Sequence, residues 1–459
     1  MNMKKGIVSL MAIATVMTGS YAVSADTLKD AMAAAYASNP QLLAQRAALR
    51  AVDEGVARAR SGYLPNLNGS YGYSSGESTQ GGLTTPNSSE RYGLTATANL
   101  FRGYQDKYNV SQAKSSVKAG RAQLQSVEQQ ILLGAVTAYM NVVRDTATVE
   151  LRQNNIQVLE RQLQASQDRF RVGEVTRTDV AQSEARLENA KSALLTADAA
   201  LATSRAQYGR VVGQAPGTLE TPEMKPELPT DLDAAIELAM ELSPGVLAAR
   251  HNENAAASGV LSAKGALLPT VGVQADWSNS TRSGVDEFDR AFSLSTDAKS
   301  IGVQVSVPLY GGGARYSDIR RAKQLQSQRR LDIHQAERIA QENVFVAWDN
   351  YRAAVGQITS SQASVRANEI ALEGVKQEAY VGSRTTLEVL NAEQELLNAR
   401  VSLVRARRDE MVAAYNLVSA TGKLTARDIG LGVSVYDEEK YYDKIGSRWL
   451  FGLRVGDAK

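Results

Sequence analysis

The segment 172–191, VGEVTRTDVAQSEARLENAK, returns at 381–400 as VGSRTTLEVLNAEQELLNAR, 209 positions later. Val-Gly meets Val-Gly, Asp179 meets Glu388, Val180 meets Val389, and Asn189-Ala190-Lys191 meets Asn398-Ala399-Arg400. Solenoid units recur every ~20–50 residues. A period this long points instead to a duplicated half-molecule, so each element found in one half is expected in the other.

The stretch from Thr27, TLKDAMAAAYASNPQLLAQRAALRAVDEGVARARSGYLPNL, has its counterpart from Asp231, DLDAAIELAMELSPGVLAARHNENAAASGVLSAKGALLPTV. Leu28, Pro40 and Pro65 align with Leu232, Pro244 and Pro269. Ala, Leu, Arg and Glu favour helix in both, and each helix is expected to end at a Leu-Pro that cannot extend it. Beyond that point the period falls to two. Leu67, Gly69, Tyr71 and Tyr73 alternate with polar neighbours, as do Tyr92, Leu94, Ala96, Ala98 and Leu100. The second half repeats this with Val271, Val273, Ala275 and Trp277, then Ile301, Val303, Val305, Val307 and Leu309. Such alternation marks a strand with one apolar face. The spacing predicts β-hairpins over about 66–101 and 270–310, with Gly/Ser/Thr-rich tips at Ser74–Glu90 and Ser278–Thr296. Tyr63, Tyr71, Phe101, Trp277 and Tyr310 near the strand ends suit the aromatic girdle of a transmembrane barrel. Four strands are too few to close one alone.

LFRGY (100–104) and LYGGG (309–313) end the strands, again 209 apart. From Tyr104 to Val172 there is no proline, and Val142, Val149, Ile156, Leu163 and Phe170 step by seven. Tyr351, Ile358, Val365, Leu372 and Ala379 repeat the step. Heptads mark helices packed knobs-into-holes along a long seam. Gly173 and Gly382 interrupt these helices, and a following Thr starts the return helix. The long helical hairpins are thus expected over about 104–212 and 313–421, with the two matched segments at their far turns. The fold class is α+β, mostly α.

The domain plan is a signal peptide 1–25, a first repeat 26–212, a Pro-rich linker 213–230, a second repeat 231–422 and a tail 423–459 with no counterpart. Lys4 and Lys5 before GIVSLMAIATVM, with Val23 and Ala25 at the cut, are the marks of a secretory signal. No other segment is apolar for long enough to be a membrane helix, which leaves a closed barrel as the membrane-spanning option. Without Lys4 and Lys5, 49 basic residues balance 49 acidic ones, which gives nucleic-acid binding no support. No cysteine is present, and His251 and His334 sit far apart, so no metal site or cofactor is expected. An enzyme finds little support: there is no HExxH, GxSxG or P-loop. YGGGARY (310–316) leaves an alternating strand and makes a poor phosphate cradle.

The order helix, Leu-Pro, strand pair, long helix and VG turn, written twice across nearly the whole mature chain, resembles the TolC family of outer-membrane export channels. The resemblance implies a homotrimer pooling four strands per chain into a twelve-stranded transmembrane barrel, continued as an α-barrel tunnel through the periplasm. It implies a passive, gated duct for drugs, toxic small molecules or proteins. Its implied partners are a periplasmic adaptor, an inner-membrane RND or ABC-type exporter, and outer-membrane lipid. Gating falls by resemblance on Asp179 and Arg384, with Ala379 at the latch-tyrosine position and Tyr380 one residue on. The throat falls on Glu388 and Asn391, where the family carries two acidic rings. The adaptor-docking tips fall on Val172, Gly173, Glu174, Val175 and Thr176, and on Val381, Gly382, Ser383, Arg384 and Thr385. A rival class, a structural or adhesive periplasmic coiled coil, explains the heptads but not the alternating strands.

Overall fold

The computed structural model describes residues 27–80, 82–222, 226–286 and 290–446; the expected signal peptide and the end of the tail lie outside them. The first helical stretch breaks into α1, Leu28–Ser38, and α2, Pro40–Arg60. Between them Asn39 leaves the helical region (φ −65°, ψ 122°), its side chain accepts from Gln41 N–H, and Pro40 opens α2. Proline suits that first position because its missing N–H would have had no partner there. The second half breaks the same way, into α5, Leu232–Leu242, and α6, Pro244–Gly265.

Strands β1 (Asn66–Gln80), β2 (Leu83–Arg102), β3 (Thr270–Val285) and β4 (Ala291–Ser306) form one antiparallel sheet in chain order. The expected long tips prove to be strand for most of their length. The β1–β2 register runs unbroken from Asn66↔Thr97 to Gln80↔Leu83. Hydroxyls pair across the extensions, as Thr79 does with Thr84 at 2.8 Å and Ser283 with Ser293 at 3.2 Å. Ser, Thr, Asn and Gly dominate β1 beyond Ser74 and β3 beyond Ser278, so their apolar alternation disappears while the pairing continues. β4 stops at Ser306, short of the expected 310, because Pro308 has no N–H for the ladder.

Register gathers the apolar side chains into rows: Phe101–Val271–Val305, Ala98–Val273–Val303 and Leu67–Ala96–Ala275–Ile301. A shift between Asn99 and Phe101 brings Phe101 into the first row. Aromatic and polar residues follow, with Leu94 opposite Trp277 and Tyr71 opposite Tyr92. On β3 the rows run from Val271 to Asn279, close to the roughly 9–11 residues a tilted strand needs to cross a bilayer. Ile301 is 79% exposed and Val303 67% in the single chain.

Helices α3 (Gln105–Arg171) and α7 (Ala314–Tyr380) have 67 residues each, about 100 Å at 1.5 Å per residue. α4 (Arg177–Val212) and α8 (Thr386–Ala420) return along them. Burial is unequal between the halves. Val142 and Val149 are buried on α3, whereas the matching Tyr351 and Ile358 on α7 are not. The main core gathers Met32, Leu132, Val136, Tyr139 and Tyr208 from the first half, Tyr415 and Val418 from α8, and Leu424, Ala426 and Leu431 from the tail. The tail continues into α9, Glu438–Gly446, which lies on α2. Arg121 bonds Glu439 at 2.8 Å, Tyr441 O–H donates to Glu54 at 2.8 Å, and Tyr436 N–H donates to Tyr36 Oη at 3.0 Å. The Arg46 guanidinium sits over the Tyr36 and Tyr436 rings, 4.6 and 5.0 Å from their centroids.

Candidate functional site

The two matched turns share one backbone. Gly173 and Gly382 take φ +82° and +81°, conformations that glycine adopts without Cβ strain. Glu174 N–H donates to Arg169 O, and Ser383 N–H to Glu378 O, both at 2.9 Å, closing carbonyls left open at the helix ends. Each return helix then begins in a capping box. Thr176 Oγ1 accepts from Asp179 N–H while the Asp179 carboxylate accepts from Thr176 N–H; Thr385 and Glu388 repeat the exchange. Val172 and Val381 are left 72% and 76% exposed at the tips.

Within the single chain the gate residues bond locally. Asp179 and Arg384 do not pair within the chain. Asp179 Oδ2 is taken by Thr176 N–H at 2.9 Å and by its hydroxyl at 2.8 Å. Arg384 instead spans its own turn, Nε to Glu378 Oε2 and Nη1 to Glu388 Oε1, each 2.7 Å. The Thr385 N–H, the Arg384 guanidinium and the Thr385 hydroxyl hold the Glu388 carboxyl down at about 2. The same two acids push Arg384 upward. Tyr380 is 81% exposed beside this turn.

Asn391 is not a bare ring position either. Its side-chain oxygen accepts from Arg186 Nη2 at 2.7 Å, a bond from α4 to α8 that joins the two hairpins. Below it Leu159, Leu187 and Leu390 form a small apolar cluster. Ser166 and Ser183 meet at 3.1 Å, so that α3 and α4 pack closely. Sequence reasoning missed Glu378 and Arg186. An acid six positions before Arg384 across the turn was a visible signal for the first; nothing local marked the second.

The other candidate surface is the sheet itself. β1 and β4 are the edges of the sheet, and Leu67, Ile301, Val303 and Val305 of the apolar rows stand exposed in the single chain. On α7, Phe345, Val346 and Ile370 are likewise exposed. Among the described residues no helix is long and apolar enough to cross a membrane.

A family model described as "Outer membrane efflux protein" matches residues 32–214 and again 235–423, once for each half. The chain belongs to this family. It is 37% identical over 446 residues to the outer membrane efflux protein BepC of Brucella suis, covering 97% of this chain and 95% of that one. It is 28% identical over 432 residues to the outer membrane protein TolC of Vibrio cholerae, covering 93% and 97%. The solved CmeC outer membrane channel of Campylobacter jejuni superposes with a TM-score of 0.75 at 16% identity, over 92% of this chain and 89% of that one. This is an outer-membrane export-channel protein with a large periplasmic portion, and not an enzyme.

Proposed function

We propose that three copies close their sheets edge to edge into one twelve-stranded barrel, and that the long helices form a tunnel beneath it. The observation that carries this reading is the four-stranded sheet with two unpaired edges and one apolar band. In lipid, unpaired backbone N–H and C=O groups each cost several kcal/mol, so the edges need partners. The exposed apolar face of α7 asks for the same neighbour. The duct takes its energy from an inner-membrane RND or ABC-type exporter, coupled through a periplasmic adaptor that docks on the tips 172–176 and 381–385.

Closure at the entrance rests in this reading on Arg384 with Glu378 and Glu388, and on Arg186 with Asn391. Asp179 and Tyr380 are left to meet the neighbouring copy. The cargo in this reading is drugs and toxic small molecules, with proteins as the second possibility. The test is a detergent-extracted preparation whose mass reads three chains and which conducts in a planar bilayer. A water-soluble single chain would refute the reading. A deletion strain hypersensitive to drugs supports small-molecule cargo; loss of a secreted protein without drug sensitivity supports protein cargo.

A further inference from the structure

The duplication exposes an anomaly at the junction of sheet and helices. In the second half Gly312 and Gly313 lead into α7 with φ +61° and +81°. Their counterparts 209 positions earlier are Gly103 and Tyr104, with φ +60° and +62°. Among the described residues Tyr104 is the one non-glycine with positive φ. The turn requires a left-handed residue here, and glycine is the unstrained solution that the other half uses. A side chain retained in that conformation points to a role for the ring.

The ring stands at the edge of a cavity. Tyr104 packs edge-on to Phe101, centroids 5.1 Å apart and planes at 89°. Phe101 belongs to the apolar row with Val271 and Val305, so Tyr104 lies on the face proposed to meet lipid. Beside it opens a cavity of about 560 Å³, lined by Tyr104, Tyr108, Leu261, Leu267, Leu268 and Ile319. Its walls come together because Gly103 and Gly265 let two backbones touch: a Cβ on Gly103 would stand 2.1 Å from Gly265 O. The single charged lining group is Lys264, which is exposed and forms no ion pair among the described residues. A second cation, Lys107, lies 5.9 Å from the Tyr108 ring centroid. The nearest carboxylate on α3, Asp106, is already bonded to Arg102 at 3.2 Å.

An apolar slot continuous with the lipid-facing rows, with an ammonium at its rim and the nearby carboxylate neutralised, complements a chain that is apolar along its length and anionic at one end. We propose that this cavity holds one acyl chain of a glycerophospholipid, with the lipid phosphate at Lys264. Tyr104 forms the wall between that chain and the first row of the sheet. The inference rests on the reading that the sheet spans the membrane.

The test uses the full-length channel extracted in mild detergent, with native mass spectrometry counting dioleoylphosphatidylglycerol and, separately, dioleoylglycerol, which lacks the phosphate. Wild type should retain the phospholipid and bind dioleoylglycerol at least tenfold more weakly. Lys264→Gln should weaken phospholipid binding about tenfold and leave dioleoylglycerol unchanged. Tyr104→Gly should lower retention of both while its thermal midpoint holds or rises, since the backbone strain is relieved. Equal lipid occupancy in wild type and both variants overturns the proposal. So does dissociation of the copies by Tyr104→Gly without lipid loss, which would make the cavity a contact between chains. Outer-membrane fractionation of the same samples tests the underlying reading separately: detergent-dependent protein with unchanged occupancy sinks the lipid site alone.

Discussion

Asp53 of α2 is 1% exposed, and neither carboxylate oxygen has a hydrogen-bond partner. It lies beneath the tail, near Arg121 of α3, Glu54 of its own helix and Glu438 of α9. Burial pushes its pKa from 3.8 up to about 6; Arg121 opposes the shift, while Glu54 and Glu438 add to it. At 1.36 kcal/mol per pKa unit that displacement, in which the attraction of Arg121 is already counted, corresponds to about 1–3 kcal/mol. The folded pKa is raised, so protonation stabilises the fold: the contribution is fully present below pH 3.8 and is lost as pH rises through about 6. Asp53→Asn keeps the shape and removes the charge. The variant should be more stable than wild type at pH 7.5 by about 1–3 kcal/mol and equal to it near pH 4. Amide hydrogen exchange in α2 and α9 reads this locally, without requiring all-or-none unfolding of a large assembly. Protection at pH 7.5 should rise roughly 5- to 150-fold, the same energy expressed as a ratio. Identical pH profiles for wild type and variant would show that Asp53 is solvated or bonded, and the reasoning would fail.

Other outcomes follow from the entrance and the sheet. Arg384→Ser removes both ion pairs across the second turn and should raise single-channel conductance; unchanged conductance counts against this turn as part of the closure. Asn391→Asp gives Arg186 a charged acceptor, a shorter and stronger bond, so it should lower conductance and increase selectivity for cations, measured as a reversal potential. Thr385→Ala deletes one half of a capping box, at a cost of about 0.5–2 kcal/mol to the start of α8, and should speed exchange of amides 386–388. Ile301→Lys places a charge on the row proposed to face lipid, at about 2–4 kcal/mol near the bilayer midplane, and should cut the outer-membrane fraction of the protein.

The duplicated plan was legible because each repeated signal had a local cause. A glycine with positive φ followed by a threonine cap fixes the turns at 173 and 382 whatever surrounds them. Strand ends were less legible, since Ser and Thr at 74–80 and 278–285 carry no apolar alternation although they pair in register. The break at Asn39 was written as Asn-Pro but is masked by the helix-favouring residues on both sides. Position alone suggests Asp179 for Arg384, and no local pattern shows that within the chain Thr176 bonds the aspartate and Glu378 lies within reach of the arginine. The heptads of α3 and α7 look alike, yet the tail and α1 pack on α3, so Val142 and Val149 are buried while Tyr351 and Ile358 at the same spacing are only half-buried. Such long-range choices have no trace in local pattern.

Leu424, Ala426 and Leu431 arrive last as the polypeptide is delivered, yet they fill the interior of its opening half. A nascent or truncated product that ends at the second repeat therefore carries an unfilled hollow at its waist, at about 2–5 kcal/mol for each large aliphatic side chain missing. The beginning of the chain is completed only when its end comes back to it.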